Sequence, residues 1–324
     1  MRNKIPFIIL CILYIAGCDL LQGNNSKPAI PGKIAFSTPD KDGRYQIFVS
    51  NTDGSNKKQL THFDDNEAFS PSWSNDGTKI AFTTTLRSSS AGASLYLMNA
   101  DGSNVRPLKE RPNSHIVTPG NNPEWSNDDS KIAFDWCTNC ELGGNNYEIY
   151  VYDFETDEVA QLTSNSSADN FPTWSPNDNF LAFTSNRDYV NSDTLRFRKD
   201  LYQINLNSLN EVRLTNSGNA TNPVWTKLED IILFEWNIGE NTLYSYKNNL
   251  EIVEKITLGL QFAGAIQFSS HGNRAVVYGR ETVASVPEIR FYDFKEENLI
   301  FLNKQKLNGA LQSARNFDWI FNEN

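Results

Sequence analysis

The feature that most constrains this chain is that it repeats itself. Pro71-Ser72-Trp73-Ser74-Asn75-Asp76-Gly77-Thr78-Lys79-Ile80-Ala81-Phe82 recurs as Pro123-Glu124-Trp125-Ser126-Asn127-Asp128-Asp129-Ser130-Lys131-Ile132-Ala133-Phe134. A third copy runs from Pro172 through Trp174 to Leu181-Ala182-Phe183, and a weaker one from Pro223 and Trp225 to Ile232-Leu233-Phe234. A worn copy has Phe268 in the Trp position, with Ala275-Val276-Val277 after it, and a last aromatic is Trp319. The spacing averages about 49 residues, the length of one supersecondary unit that cannot bury its own apolar face alone.

Each copy has the same grammar. A short strand centred on the Trp is followed by a turn rich in Asn, Asp and Gly, then by an Ile-Ala-Phe strand. A variable loop leads to an alternating third strand: Tyr45 to Val49, Leu95 to Met98, Tyr147 to Val151, Leu201 to Leu206, Leu243 to Tyr246 and Ile289 to Tyr292. A fourth ends near Leu60-Thr61, Leu108, Leu162-Thr163, Leu214-Thr215, Ile256-Thr257 and Phe301-Leu302. Four short strands joined by tight turns make one antiparallel sheet. The 39 asparagines fit, because Asn bonds its local backbone and tolerates positive φ.

The two ends of the array decide its shape. Ile34 to Phe36 has no Trp strand before it, and Phe317 to Phe321 has no Ile-Ala-Phe strand after it. A split unit predicts a ring in which the C-terminal strand joins the N-terminal three. The expectation is an all-β, six-bladed β-propeller over residues 32–321, with four-stranded blades and only short exposed edges.

The Pro-x-Trp-Ser-x-Asp-Gly-x-Lys-Ile-Ala-Phe string resembles the WD-like repeat of TolB-type β-propellers. So do Ser185-Asn186-Arg187-Asp188 and the Asn-x-Asp-Gly-Ser-Asn strings at 51–56 and 99–104. The likeness covers nearly all of the chain after residue 31, is strongest in the first four blades, and is to the propeller part of that family.

Residues 1–17 read as a secretory signal. Arg2 and Lys4 precede an apolar run from Ile5 to Ile15, too short to span a bilayer as a mature helix. Ile15-Ala16-Gly17-Cys18 resembles the lipobox of bacterial lipoproteins, which implies a lipid on Cys18 and residues 18–31 as a flexible tether. Removing residues 1–17 takes the net charge from −10 to −12, which disfavours nucleic acid as a partner. Cys137 and Cys140 are left as a close pair. In an oxidising envelope the first reading is a local disulfide; free thiols, or a redox or metal role, remain open.

Catalytic signatures are scarce. No Gly-x-Ser-x-Gly or His-Glu-x-x-His string occurs. His62, His115 and His271 fall in different blades and read as loop histidines; Asp64-Asp65, Asp128-Asp129 and Glu296-Glu297 read as solvated turn residues. In this repeat type the Trp strand is innermost, so residues just before it would line the channel mouth. They are Asn66, Glu67, Asn121, Asn122, Asp169, Asn170, Asn222, Arg315 and Asn316, mostly amides that both donate and accept. The long loop from Ser185 to Asp200 adds Arg187, Tyr189, Arg196, Phe197 and Arg198, the residue types of interface anchors.

The expectation is a lipid-anchored, monomeric propeller of the bacterial envelope, at the outer membrane in preference to the inner. It would bind a protein or peptide partner without catalysis or cofactor. The competing expectation is a polysaccharide-active lyase or glycoside hydrolase with its site in the mouth. A third is a channel cation such as calcium.

Overall fold

The computed structural model describes residues 32–86, 93–109, 120–138, 146–189, 198–216, 218–225, 231–237, 240–246, 252–257, 262–268, 274–280, 288–295, 298–306 and 315–320. Among them every regular element is a strand, and no helix is long and apolar enough to cross a membrane.

The described strands form six four-stranded antiparallel sheets. The second holds β4 (Asn66–Trp73), β5 (Lys79–Leu86), β6 (Ser94–Asn99) and β7 (Arg106–Pro107) in chain order. The third holds β8 (Asn121–Trp125), β9 (Lys131–Cys137), β10 (Tyr147–Asp153) and β11 (Glu158–Gln161). The fourth holds β12 (Asp169–Trp174), β13 (Phe180–Ser185), β14 (Asp200–Asn205) and β15 (Glu211–Arg213). The fifth holds β16 (Ala220–Trp225), β17 (Ile231–Asn237), β18 (Glu240–Tyr246) and β19 (Ile252–Thr257). The sixth holds β20 (Phe262–Phe268), β21 (Arg274–Arg280), β22 (Glu288–Lys295) and β23 (Asn298–Lys306). The first is split in sequence: β24 (Arg315–Ile320) pairs with β1 (Lys33–Pro39), which continues to β2 (Tyr45–Asn51) and β3 (Lys58–Gln59). The first strands of successive sheets touch, β24 to β4 to β8 to β12 to β16 to β20, and β20 touches β24 again.

The Ile-Ala-Phe strings are continuous apolar runs because their sheets are covered on both faces. Phe36, Phe82, Phe134 and Phe183 are fully buried, and so are the isoleucines and leucine two residues earlier. The alanine between them points the other way, toward the next sheet's tryptophan. Ala35 clusters with Trp73, Ala81 with Trp125, Ala133 with Trp174 and Ala182 with Trp225. A large side chain at the Ala position would occupy the indole's place, which is why the string reads large, small, large. The indoles also tie neighbours polarly: Trp125 Nε1 donates to the Ser72 carbonyl at 3.1 Å, and Trp174 Nε1 to the Glu124 carbonyl at 3.0 Å.

One expectation needs correcting. The Trp closes its strand and is not at its centre, so the residues expected before the strand are its first residues. The strand passes the proline through a bulge. The residue before each proline sits at positive φ: Ser70 at 46°, Asn122 at 49° and Phe171 at 57°. Ladder register shifts at the same places.

Within a sheet, alternating strand direction puts the 40–44 connection and the 60–65 connection at the same end, where β4 begins. Asn121 and Asp169 begin β8 and β12 at the corresponding end. The described residues expected at the mouth and the 40–44 and 60–65 connections therefore lie at the same end of their sheets.

Candidate binding face

The face is best defined where the third and fourth sheets meet. Asn122 Nδ2 donates to Asp135 Oδ2 at 2.8 Å, and the Phe171 N–H donates to the same oxygen at 3.1 Å. Lys199 Nζ donates to Asn170 Oδ1 at 2.9 Å and stands 5.5 Å from the centre of the Phe171 ring. Asp169, Asp135 and Asn170 are buried, while Asn66, Glu67, Asn121 and Asn122 are half-buried. Burial pushes the Asp135 carboxyl up to about 6, against its bonds from Asn122 and Phe171 and the Lys199 charge. Burial also pushes the Lys199 ammonium down, with Asp135 and Asp169 opposing. This is a pre-set polar cluster: a positive-φ backbone turn, an aromatic ring, one cation and two buried carboxylates. Such a backbone persists where surrounding structure holds it.

Sequence reasoning missed Asp135 and Lys199. A signal was present for the first. The residue after Ile-Ala-Phe is Ser37, Thr83 and Thr184 in other repeats, so Asp135 puts a carboxylate where they have a hydroxyl. Ser37 Oγ uses that place to reach the Ala68 carbonyl of the next sheet at 2.7 Å.

The 185–200 loop is partly outside the described residues, including Arg196 and Phe197. Its described ends are tied inward. Arg187 bonds Asp169 at 2.8 Å, pairs with Glu211, and lies over Tyr202 at 4.4 Å and Phe183 at 5.6 Å. The Tyr189 hydroxyl donates to Asp200 Oδ2 at 2.7 Å, and Arg213 donates to that oxygen at 2.5 Å. Fully buried Asp200 also accepts the Gly218 N–H at 2.9 Å. Gly218 has φ +73°, and a β-carbon there would lie 2.7 Å from the exposed Arg198 side chain. Arg187 and Tyr189, residue types expected of interface anchors, are thus both bonded to buried carboxylates.

Other expected residues fall elsewhere. Cys18 and Cys140 lie outside the described residues; Cys137 is disulfide-bonded. Asn222, Arg315 and Asn316 lie on β16 and β24, with side chains outside the described set. His115 and His271 also lie outside it. Among the described residues no group of three or more His, Cys, Asp or Glu side chains is placed to hold a metal ion. Asp129 is not a merely solvated turn residue, because its carboxylate accepts the N–H groups of Asn75 at 2.7 Å and Asp76 at 2.9 Å.

Farther along the first strands, the residue before each Trp is Ser72, Glu124, Thr173, Val224 or Asp318. Glu124 keeps some accessible surface but is surrounded by protein. Its carboxyl is pushed up to about 8, by burial first and by Asp318 second. Asp318 Oδ2 accepts the Trp73 N–H at 2.6 Å.

Comparison with known proteins now bears on these sheets. The family model described as the TolB beta propeller domain matches residues 24–192 and, in a second overlapping match, 87–310. The chain belongs to the TolB β-propeller family. Its sheets are accordingly propeller blades. A TolB homolog from Chlorobium chlorochromatii is 48% identical over 171 residues, which is 52% of this chain and 35% of that protein. TolB from Acinetobacter baumannii superposes with a TM-score of 0.67 at 21% identity, over 89% of this chain and 66% of that one. A putative TolB from Agrobacterium tumefaciens gives 0.58 at 17% identity, over 86% and 90%. This chain therefore spans about a third of the curated relative's length. The two structural likenesses, at such identities, speak for the fold alone.

Proposed function

We propose that this TolB-family propeller binds a protein or peptide of the bacterial envelope through the face carrying Asn122, Phe171 and Lys199. The six blades close as a ring, with β24 completing the first blade. Its support is the pairing of β24 with β1 and the unbroken succession of first-strand contacts. In this reading Cys18 carries the lipid, residues 18–31 form the tether, and the propeller is a monomer held at the outer membrane.

The observation that carries the binding assignment is the pre-set polar cluster between blades three and four. A peptide offers amide donors and acceptors, and the cluster holds a lysine, an aromatic ring and amides in fixed places. Ordering costs are small when the receiving site is already held. The test is recovery of envelope partners by cross-linking and pull-down, with Lys199→Glu and Phe171→Ala beside the parent protein. Recovery should fall by about tenfold, the order expected for loss of one anchor. Unchanged recovery by both variants, each with a parental melting curve, overturns the site.

The polysaccharide-enzyme reading has one observation in its favour. Burial, and Asp318 second, push the Glu124 carboxyl up to about 8, the direction a general acid needs, and glycoside hydrolysis uses a raised carboxyl beside a second one. A glycan screen in which the parent releases product and Glu124→Gln does not would favour it; no turnover by the parent would remove it.

A further inference from the structure

The direction in which the chain enters the first blade decides which end of the blades the preceding segment joins. β1 begins at Lys33, directly opposite Asn51, and the Gly32 carbonyl accepts the Thr52 N–H at 3.3 Å. The 51–56 turn therefore sits beside the point of entry. Strand alternation puts the 74–78, 99–104 and 126–130 turns at that same end, and contacts between blades join them. Lys58 Nζ donates to the Asp101 carbonyl at 2.6 Å, and the Asn75 N–H donates to Asp129 at 2.7 Å. The Asn122, Phe171 and Lys199 cluster lies toward the opposite end. Lys199 directly precedes β14, and Asn122 and Phe171 fall in the opening halves of β8 and β12.

The entry end is acidic in the first four blades. The turns 51–56, 74–78, 99–104, 126–130, 153–157, 175–179 and 205–210 hold nine carboxylates and no lysine, arginine or histidine. Glu158 starts a strand there and adds a tenth, while Glu211 is taken up by Arg187. Five strands there start on a lysine or arginine, Lys57 is close by, and Lys109 pairs with Asp157. Ten carboxylates thus meet seven cations, and the end keeps a net negative charge.

We propose that the propeller is suspended from its membrane by this turn end, with the acidic turns toward the lipid headgroups and the Asn122, Phe171 and Lys199 cluster turned away. This orientation rests on the reading of Cys18 as the lipid-bearing residue. A coil of the length of residues 18–31 spans roughly 20 Å. A strand of eight residues such as β5 crosses its blade over about 26 Å. Bringing the cluster down to the bilayer would stretch the tether past the whole height of a blade. The net negative charge keeps the turn end from lying flat on an anionic leaflet, because like charges repel within about one Debye length, roughly 10 Å. The partner that fits the cluster is therefore a soluble protein or peptide approaching from the side opposite the bilayer, in place of a protein embedded in the same leaflet.

Energy transfer to the membrane surface tests this. Full-length protein purified from bacterial membranes is reconstituted in vesicles of phosphatidylethanolamine and phosphatidylglycerol that carry a headgroup-labelled acceptor lipid. The donor dye sits on Glu155→Cys at the turn end or on Asp65→Cys at the other end, both exposed positions, each variant with a parental melting midpoint. Transfer from position 155 should be about twice that from position 65, since one strand length separates the two ends. It should rise further when salt goes from about 50 to about 500 mM, because screening removes the repulsion. Mass spectrometry of the same preparations reads the acyl group on Cys18. With that group present, equal or stronger transfer from position 65 overturns the orientation and leaves the anchor standing. No rise with salt overturns the electrostatic stand-off. A Cys18 without acyl group removes the anchor itself, and the orientation with it.

Discussion

At the scale of single residues, the sharpest expectation concerns Glu124. Its ordinary carboxylate value applies in the unfolded chain, whereas in the fold it is raised to about 8 by burial and by Asp318. Between those values the native state binds a proton that the unfolded state has lost. Stability from this group is therefore full below the unfolded value and declines as pH rises toward 8. Glu124→Gln keeps the shape and removes the titration. Relative to the parent it should be near neutral at pH 4 and more stable at pH 9, by on the order of 2 kcal/mol once access of water is allowed for. Denaturant midpoints of both proteins at the two pH values measure this. A difference that does not change with pH would show that Glu124 is not the desolvated group described.

At the scale of elements, the turns join blades as well as strands. Asp129 grips the turn of the preceding blade through Asn75 and Asp76, and Asp178 grips Asn127 and Asp128 in the same way. Both gripping residues sit at positive φ, 59° and 54°, where the second blade has Gly77. Asp129→Ala loses the grip and keeps an unfavourable backbone; Asp129→Gly loses the grip and relaxes it. Alanine should cost about 2–3 kcal/mol and glycine about 1 kcal/mol less than that. Urea unfolding orders the two, and equal losses would remove the backbone part of the account.

These elements also show what the sequence could disclose. The Ile-Ala-Phe strings and Asp-Gly turns were legible because local burial and local φ dictate them. Gly54, Gly77 and Gly102 all take the positive φ that the turn needs. The bulge before each proline was not legible, since a residue preceding proline is biased toward extended backbone. Yet Phe171 is left-handed, held in part by the Asp135 carboxylate of another blade. Asp135 and Lys199 escaped for the same reason: they sit in different repeats, and only packing across the blade boundary brings them together. That Arg187 would pair with buried Asp169, and Tyr189 with buried Asp200, was also not legible, because composition does not say which side chain has a buried partner.

At the scale of the whole molecule, everything turns on whether the two ends of the chain hold each other. Lys33 lies directly opposite Ile320 in the ladder between β1 and β24. Directly opposed residues in an antiparallel pair are close enough for a disulfide. In the double variant Lys33→Cys/Ile320→Cys the bond would enclose nearly the whole propeller. Closing so long a loop restrains the unfolded chain by about 5 kcal/mol at most, and less where native geometry is distorted. If the ring closes as proposed, the bond should form spontaneously in oxidising conditions. It should also raise the melting midpoint by several degrees and leave partner recovery unchanged. A chain end that only frays against the first blade would form the bond slowly and gain little from it, since its strand would contribute little to the folded state. Failure of the two cysteines to join under conditions where Cys137 stays oxidised would sink the closed ring. It would also remove the reason for treating Asp318 as a neighbour of Glu124, because β24 brings that carboxylate to the inner strands. The reactivity of the engineered pair therefore bears on the part of the Glu124 pH response that Asp318 supplies, while burial, the larger cause, would still raise that carboxyl.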